Sequence, residues 1–454
     1  MGTSASSELE IDSYLSRLKD IDLVKVNGRV SQVIGLVIES VGPNCSLGEV
    51  CTVKSHSEED ICLSEVVGFK ESRVLSMVLG GTTRISPGSE IVASGKPFTI
   101  PVGSSLLGRI IDGLGRPMDR KGPIEGEELR SIYAAPPNPL TRKRITEPIV
   151  TGVRSIDSLL TCGRGQRIGI FSASGVGKST TLGMIARNTS ADVNVIALIG
   201  ERGREVRDFI DGELGPEGLA RSVVVVATSD QEALLRLKAA FIATTIAEYF
   251  RDKGKNVMFL FDSVTRVATA QREVGLAIGE PPTTKGYTPS VFALLPKLLE
   301  RAGNSDVGSI TGMYTVLVEG DDMNEPVADH TRAILDGHIV LSRRLASAGH
   351  YPAIDVLESI SRVMPSITTQ EHRKAVHRFL DLLATYREAE DLINIGAYVK
   401  GSNPRIDEAV LHIEEMRSFL KQSSVEKVDH QVSLKRLLDM MNSPAGKQPI
   451  VNKA

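Results

Sequence analysis

The chain has 454 residues, enough for two or three domains, each with its own core. With 41% apolar and 24% charged residues it has the composition of an ordinary globular protein, which excludes a disordered or fibrous chain. Its 53 basic residues against 56 acidic ones leave a formal net charge of −3, so there is no overall basic footprint for wrapping nucleic acid. No apolar run reaches the length of a membrane span, and Met1–Glu10 lacks a charged-then-apolar signal, so a cytosolic chain is expected. The cysteines Cys45, Cys51, Cys62 and Cys162 form no Cys-x-x-Cys pair. Even with His56 among the first three, the spacing fits no zinc pattern, and small buried thiols are expected instead.

Residues 1–22 place Ile11, Tyr14, Leu15 and Leu18 at spacings of three and four, one apolar stripe on a short helix. Such a helix either packs on its own domain or is offered to a partner, and nothing local separates the two. From Val24 to Ser94 the period changes to short β-rich pieces, such as Val33–Ile38 and Val50–Val53, punctuated by glycine and polar breaks. Many short strands without a helix between them predict a small closed barrel over 23–96. Phe69 is the only Phe, Tyr or Trp in that window, so a base-stacking platform is poorly supported and the barrel's expected role is structural. Residues 95–150, with Gly113–Pro117 and Pro136–Pro139, suit a linker wrapped over a neighbouring domain.

From Ile145 to Ser366 strand and helix patterns alternate. The candidate buried strands are Arg167–Phe171, Val193–Ile199, Val223–Ala227, Val257–Phe261, Met313–Val318 and His338–Ser342. Continuous apolar runs separated by helices predict a parallel sheet covered on both faces, with ligands bound beyond the carboxyl ends of its strands. Beyond Ser366 the chain reads as helical: Glu371–Arg387, Glu388–Val399, and a helix opened by Asn403-Pro404 that continues through Ile406, Val410, Ile413 and Met416. Asn442–Ala454 is polar and without period.

One of these strands carries the chemistry. Ile168–Phe171 runs into Ser172-Ala173-Ser174-Gly175-Val176-Gly177-Lys178-Ser179-Thr180, followed by a helix with Leu182, Ile185 and Ala186 on one face. Strand, glycine loop and helix are the setting in which backbone N–H groups cradle phosphate oxygens. There Lys178 can reach the β- and γ-phosphates and the Ser179 hydroxyl can ligate Mg²⁺. The strict pattern has Gly where this chain has Ser172. Val257–Phe261 then delivers Asp262, an acid suited to the metal or its water shell. Val193–Gly200 ends in Glu201-Arg202-Gly203-Arg204-Glu205. Glu201, nearest the strand tip, could orient an attacking water; the same run also reads as a solvated charged turn opening a helix.

Longer runs make the reading specific. They are Gly200–Arg207, Asp262–Arg266, Ala270–Leu276, Gly279–Tyr287, Ser290–Phe292 and His350–Arg362. In order, they resemble the flagellar and injectisome type III protein-export ATPases, relatives of the rotary ATP synthase catalytic subunit. The resemblance runs from residue 24 to about residue 420. It implies an α/β fold: an N-terminal small β-barrel, a central RecA-like P-loop parallel sheet with helices on both faces, and a C-terminal helical domain. The implied division is 1–22 partner-binding helix, 23–96 barrel, 97–366 ATP-binding domain with its leading linker, and 367–454 helical domain. Carried over by position, Ser174, Gly175, Val176, Gly177, Lys178, Ser179 and Thr180 would hold the phosphates, and Tyr351 would stack on the adenine. Ser179 and Asp262 would serve the metal, Glu201 would polarise water, and Arg202 would lie beside the γ-phosphate. Arg362 would be an arginine finger reaching into the neighbouring subunit's site. The 276–290 loop would line a central pore.

The resemblance further implies a homohexamer using ATP and Mg²⁺, cytoplasmic but peripherally associated with the membrane. Its expected partners are a stator or regulator at the N-terminal helix, export-gate membrane proteins, a central stalk protein and chaperone–cargo complexes, with no nucleic acid. Glu201 and Arg362 on one chain fit a homomer, and no Asn-Lys-x-Asp guanine signature is present, which favours ATP over GTP. The alternatives are a hexameric nucleic-acid translocase resembling transcription-termination factor Rho, or a subunit of a rotary or vacuolar-type synthase. Ala173 stands where export ATPases more usually carry Gly; an α-left conformation there would cost roughly 1 kcal/mol.

Overall fold

The computed structural model describes residues 26–54, 61–80, 85–318, 320 and 322–442. The apolar stripe of residues 1–22 and the polar end beyond Asn442 lie outside the described residues. Two compact units divide between Phe98 and Thr99.

In the first unit, β1 (Gly28–Ile34), β2 (Val37–Val41), β3 (Glu49–Lys54), β4 (Ile61–Lys70), β5 (Arg73–Val78) and β6 (Glu90–Pro97) close into an antiparallel barrel in the order β1-β2-β5-β4-β3-β6. Alternation makes it. Along β3, Cys51 and Val53 point inward while Thr52 and Lys54 do not, and Val30, Ile38, Val66, Val74 and Ile91 complete the interior. Cys45 and Cys62 pack against this core half-buried, and burial pushes both thiols up. Phe69 lies exposed on the outside.

The second unit begins with β7 (Thr99–Val102), β8 (Arg109–Asp112) and β9 (Glu128–Ser131). The stretch that reads as a connector therefore contributes strands: β7 pairs with β9, and β8 joins the main sheet. A bidentate Arg109–Asp119 pair, at 2.7 and 3.0 Å, pins β8 in place and lowers the Asp119 carboxyl to about 2. The main sheet runs β17-β16-β10-β15-β13-β11-β12-β8. Its members are β10 (Arg167–Ser172), β11 (Val193–Glu201), β12 (Ser222–Thr228), β13 (Asn256–Asp262), β15 (Ser309–Leu317), β16 (Gly337–Leu341) and β17 (Ile354–Ser361), with short β14 (Gly303–Asn304) beside β15. All neighbours on this path are parallel except β17, which runs antiparallel to β16 at one edge. Ile168, Ile170, Ile196, Leu198, Met258 and Leu260 are buried, as expected of strands covered on both faces.

The C-terminal part is helical. Where the sequence reads as two helices, the chain forms one, Gln370–Asn394, capped by the Thr369 hydroxyl accepting from the His372 N–H at 3.2 Å. The next helix, Pro404–Leu420, starts at Asn403-Pro404 as expected, with the Asn403 side chain accepting from the Arg405 N–H. Its buried face is Ala409, Ile413, Met416 and Leu420; Val410 lies exposed. The helix His430–Asn442, not anticipated, returns Leu437 and Met440 to the same core.

Candidate active site

The central strands bring the expected residues together because their carboxyl ends are in register. Leu198 of β11 pairs with Asp262 of β13, and Ser172 of β10 pairs with Leu317 of β15. β10 therefore hands the chain to the glycine loop beside the strand ends that carry Glu201 and Asp262. Gly175 and Gly177 have φ of 80° and 92°, which an L side chain resists. Gly177 precedes the helix Lys178–Asn188 without any side-chain cap, and the first helical bond is Thr181 N–H to the Gly177 carbonyl. The N–H groups of the first turn are thus left to face an anion, with the helix dipole behind them.

Lys178 stands between the two acids. Its Nζ lies 2.5 Å from Asp262 Oδ1 and 3.0 Å from Glu201 Oε1, with all three side chains largely buried. Burial presses the Lys178 pKa down, but Asp262 and then Glu201 outweigh it and hold the ammonium above its ordinary value. Asp262 also accepts from the Thr315 hydroxyl of β15 at 2.6 Å, which fixes the carboxylate from the neighbouring strand. A cavity of about 350 Å³ opens here, lined by Ser174, Gly175, Gly177, Lys178, Ser179, Thr180, Glu201 and Arg202, together with Ala173, Glu205, Arg266 and Leu317.

The Arg202 side chain is 80% exposed at the rim, 3.7 Å from Glu205. Val176 is buried, so only its main chain can serve a ligand. The Thr180 hydroxyl donates to Glu213 at 2.7 Å, which also leaves its main chain as the ligand-facing part. A Cβ built on Gly177 would meet the Tyr351 ring at 3.5 and 3.6 Å, so that half-exposed ring borders the loop. Arg362 lies elsewhere. It follows β17, whose Ser361 pairs with Gly337, while Leu341 of β16 pairs with Ser172 of β10. Four strand residues, about 13 Å, therefore separate the level of Ser361 from the end of β10; Arg362 lies one residue beyond, and the glycine loop is farther still. Its guanidinium donates to the Leu335 carbonyl at 3.3 Å and the residue is otherwise exposed. It cannot reach the cavity of its own chain.

Arg266 is the residue that sequence reasoning did not single out. It sits one turn into the helix Val264–Ala277, which Ser263 caps by accepting from the Arg266 N–H at 3.3 Å. Its side chain crosses Gly200, where φ is +71° and any Cβ would come within 2.9 Å of Arg266 Cβ and Cγ. Gly200 thus lets this arginine approach the end of β11. The signal was present as a cation four residues beyond the strand-ending Asp262.

Ala173 is buried and is not among the non-glycine residues with positive φ, which are Glu71, Arg120 and Lys285 among the described residues. The glycine replaced here is not required by the backbone. Ala173→Gly is therefore expected to leave ATP turnover unchanged and to lower stability by about 0.4–1 kcal/mol through chain entropy, as read by thermal melting.

Fold and site together define a phosphate-loop nucleoside triphosphatase. Comparison with known proteins agrees along the chain. The ATP synthase alpha/beta family beta-barrel domain matches residues 30–95, the nucleotide-binding domain of that family matches 152–361, and the T3SS EscN ATPase C-terminal domain matches 368–439. The "Flagellum-specific ATP synthase" of Bacillus subtilis is 57% identical over 419 residues, 92% of this chain and 96% of that protein. The assembled ATPase EscN from the enteropathogenic E. coli type III secretion system superposes with a TM-score of 0.87 at 47% identity, covering 91% of this chain and 100% of that one. EscN in complex with its central stalk EscO gives 0.84 at the same identity and coverage. The chain belongs to the ATP synthase alpha/beta family, in its branch of flagellar and type III secretion ATPases, and is an ATP-hydrolysing enzyme of that export branch. Among the described residues no helix is long and apolar enough to cross a membrane.

Proposed function

We propose that the protein hydrolyses ATP as a homohexameric ring that energises type III export, releasing chaperones and unfolding cargo at a membrane export gate. The observation that carries this reading is the separation of Arg362 from its own Lys178–Glu201–Asp262 cluster. An arginine that serves a neighbour's site calls for head-to-tail contacts that close into a ring. In this reading the loop N–H groups and Lys178 hold the β- and γ-phosphates. Glu201 takes up or orients the proton of the attacking water, while Arg202 and the neighbour's Arg362 meet the charge that develops on the γ-phosphate. Tyr351 offers its face to the adenine.

The donors present fit Mg²⁺. The Ser179 hydroxyl and the Asp262 carboxylate are hard oxygen ligands, and no group of three or more His, Cys, Asp or Glu that could hold a metal stands among the described residues. An ion that draws most of its ligands from phosphate and water needs no more. Bound there, it would neutralise phosphate charge; Lys178 and the loop do the orienting.

The same reading assigns residues 1–22 to a stator or regulator, 23–96 to a collar of barrels, 97–366 to ATP binding and catalysis with the leading linker, and 367–454 to a C-terminal helical domain. The EscN–EscO complex supports a central stalk as one partner. The machine would work in the cytoplasm, at the inner face of the membrane. The test is ATP turnover per subunit against protein concentration, with and without RNA. Turnover should rise as the protein assembles and ignore RNA; a fully active monomer, or strong stimulation by RNA, would contradict the proposal.

A further inference from the structure

The C-terminal helices reach back to the nucleotide site through one short segment. Between the helix Pro404–Leu420 and the helix His430–Asn442 lies Gln422, whose backbone N–H donates to the Tyr351 carbonyl at 3.0 Å. Gln422 is 5% exposed, and its side-chain amide bonds both to the nucleotide core and to its own segment. Its Oε1 accepts from the Arg154 N–H at 2.8 Å, and its Nε2 donates to the carbonyls of Gly152 at 2.9 Å and Glu426 at 3.1 Å. A flipped amide would set oxygen against two carbonyls and nitrogen against an N–H, so the network admits one orientation. Two arginines fasten the same segment. Arg154 donates to the carbonyls of Phe419 and Lys421 at 3.1 and 2.9 Å and pairs with Glu426. Arg187, in the last turn of the phosphate-loop helix, donates to the Ser424 carbonyl at 2.7 Å.

Tyr351 has no comparable anchor of its own. Among the described residues its hydroxyl has no hydrogen-bond partner and its ring is half exposed, so the ring's place beside Gly177 depends on where its main chain is held. We propose that Gln422 is a positioning residue for the nucleotide base. By pinning its own backbone to the nucleotide core and its N–H to the Tyr351 carbonyl, it sets the ring against the phosphate loop. It thereby ties affinity for the base to the segment that joins the C-terminal helices. The inference rests on the reading of Tyr351 as the adenine platform. The phosphate site takes its contacts from other elements.

The experiment separates base from phosphate. ATP kinetics, and inhibition of ATP hydrolysis by inorganic tripolyphosphate, are measured for the full-length wild type, Gln422→Ala, the nearly isosteric Gln422→Met, Tyr351→Ala and the Gln422→Ala/Tyr351→Ala double variant, with thermal melting alongside. Both Gln422 variants should raise KM for ATP about three- to tenfold, the worth of one well-placed aromatic contact, with kcat within about twofold. Inhibition by tripolyphosphate should be unchanged, and Gln422→Ala should add nothing once Tyr351 is Ala. Equal weakening of ATP and tripolyphosphate, an unchanged KM for ATP in both Gln422 variants, or an undiminished Gln422→Ala effect in the Tyr351→Ala background would overturn the inference. If Tyr351→Ala itself leaves KM for ATP unchanged, the platform reading has failed and the inference falls with it. If Tyr351→Ala raises KM and the Gln422 variants do not, only the inference has failed.

Discussion

Glu201→Gln should stop ATP turnover while leaving ATP binding intact. Glu201 ends β11 with its carboxylate 3.0 Å from Lys178 and lines the cavity beyond the glycine loop. The amide keeps the size of the side chain and a hydrogen-bonding oxygen, so the loop N–H groups and Lys178 remain able to hold phosphate. What it loses is the negative charge that draws a proton from water, a contribution of about 10²- to 10⁴-fold. Removing that charge also relieves Lys178 of one of its two acidic partners and leaves Asp262 at 2.5 Å, so the lysine stays paired and charged. Lys178→Ala should behave differently. It deletes the group that reaches the phosphates and strands two largely buried carboxylates side by side, so binding and turnover fall together. Single-turnover hydrolysis beside equilibrium binding of ATP distinguishes the two. Normal hydrolysis by Glu201→Gln would transfer the role to another carboxylate, of which Glu205 also lines the cavity.

Arg362→Ala should reduce turnover by about a thousandfold or more, the scale of an arginine finger in phosphoryl transfer, while leaving the fold intact. The residue is exposed, and among the described residues its one side-chain bond is to the Leu335 carbonyl, so little packing is lost. With Arg362 separated from the cavity of its own chain, the proposed role makes the deficit one of the interface. A subunit lacking the finger still brings a complete glycine loop, Glu201 and Asp262. It can enter a ring, and there it deprives a neighbour of its arginine. Mixed with wild type at constant total protein, the variant should remove at least its own share of turnover, and more than its share where the sites of a ring fire in turn; a mixture as active as the same total amount of wild type would contradict the role.

Much of this was legible because the central strands are buried runs, and a buried run declares itself by continuous apolar residues. Ile168–Phe171 and Val257–Phe261 are read as strands and are strands, extended by a residue or two to Ser172 and to Asn256 and Asp262. The edges were harder. Along β17, Leu357, Glu358, Ser359 and Ile360 alternate between partial burial and exposure, so the stretch carries no apolar run. β8 contributes four residues inside a region rich in glycine and proline. The long helix Gln370–Asn394 reads as broken at Arg387-Glu388 because a charged run interrupts its apolar period. In the fold those charges face partners: Arg387 pairs with Asp355 at 2.5 Å and Glu390 with Arg417 at 2.9 Å, so the helix continues through them. The candidate site residues came from motif and resemblance together, and Arg266, which lines the same cavity, came from neither. Tyr351 and Arg362 had no local signal; only the fold sets one beside Gly177 and the other at the far end of the sheet.

A working site assembled from two chains can be rebuilt from two broken ones. The experiment is to mix Glu201→Gln with Arg362→Ala, two proteins expected to be inactive alone. In mixed rings an Arg362→Ala subunit supplies Glu201 and its neighbour supplies the arginine, so about one interface in four is complete when the two are present equally. ATP turnover should reappear on mixing, rise to a maximum near equal amounts and depend on total protein concentration. Mixtures that stay inactive at every ratio, although the two proteins assemble together, would contradict a site shared between subunits.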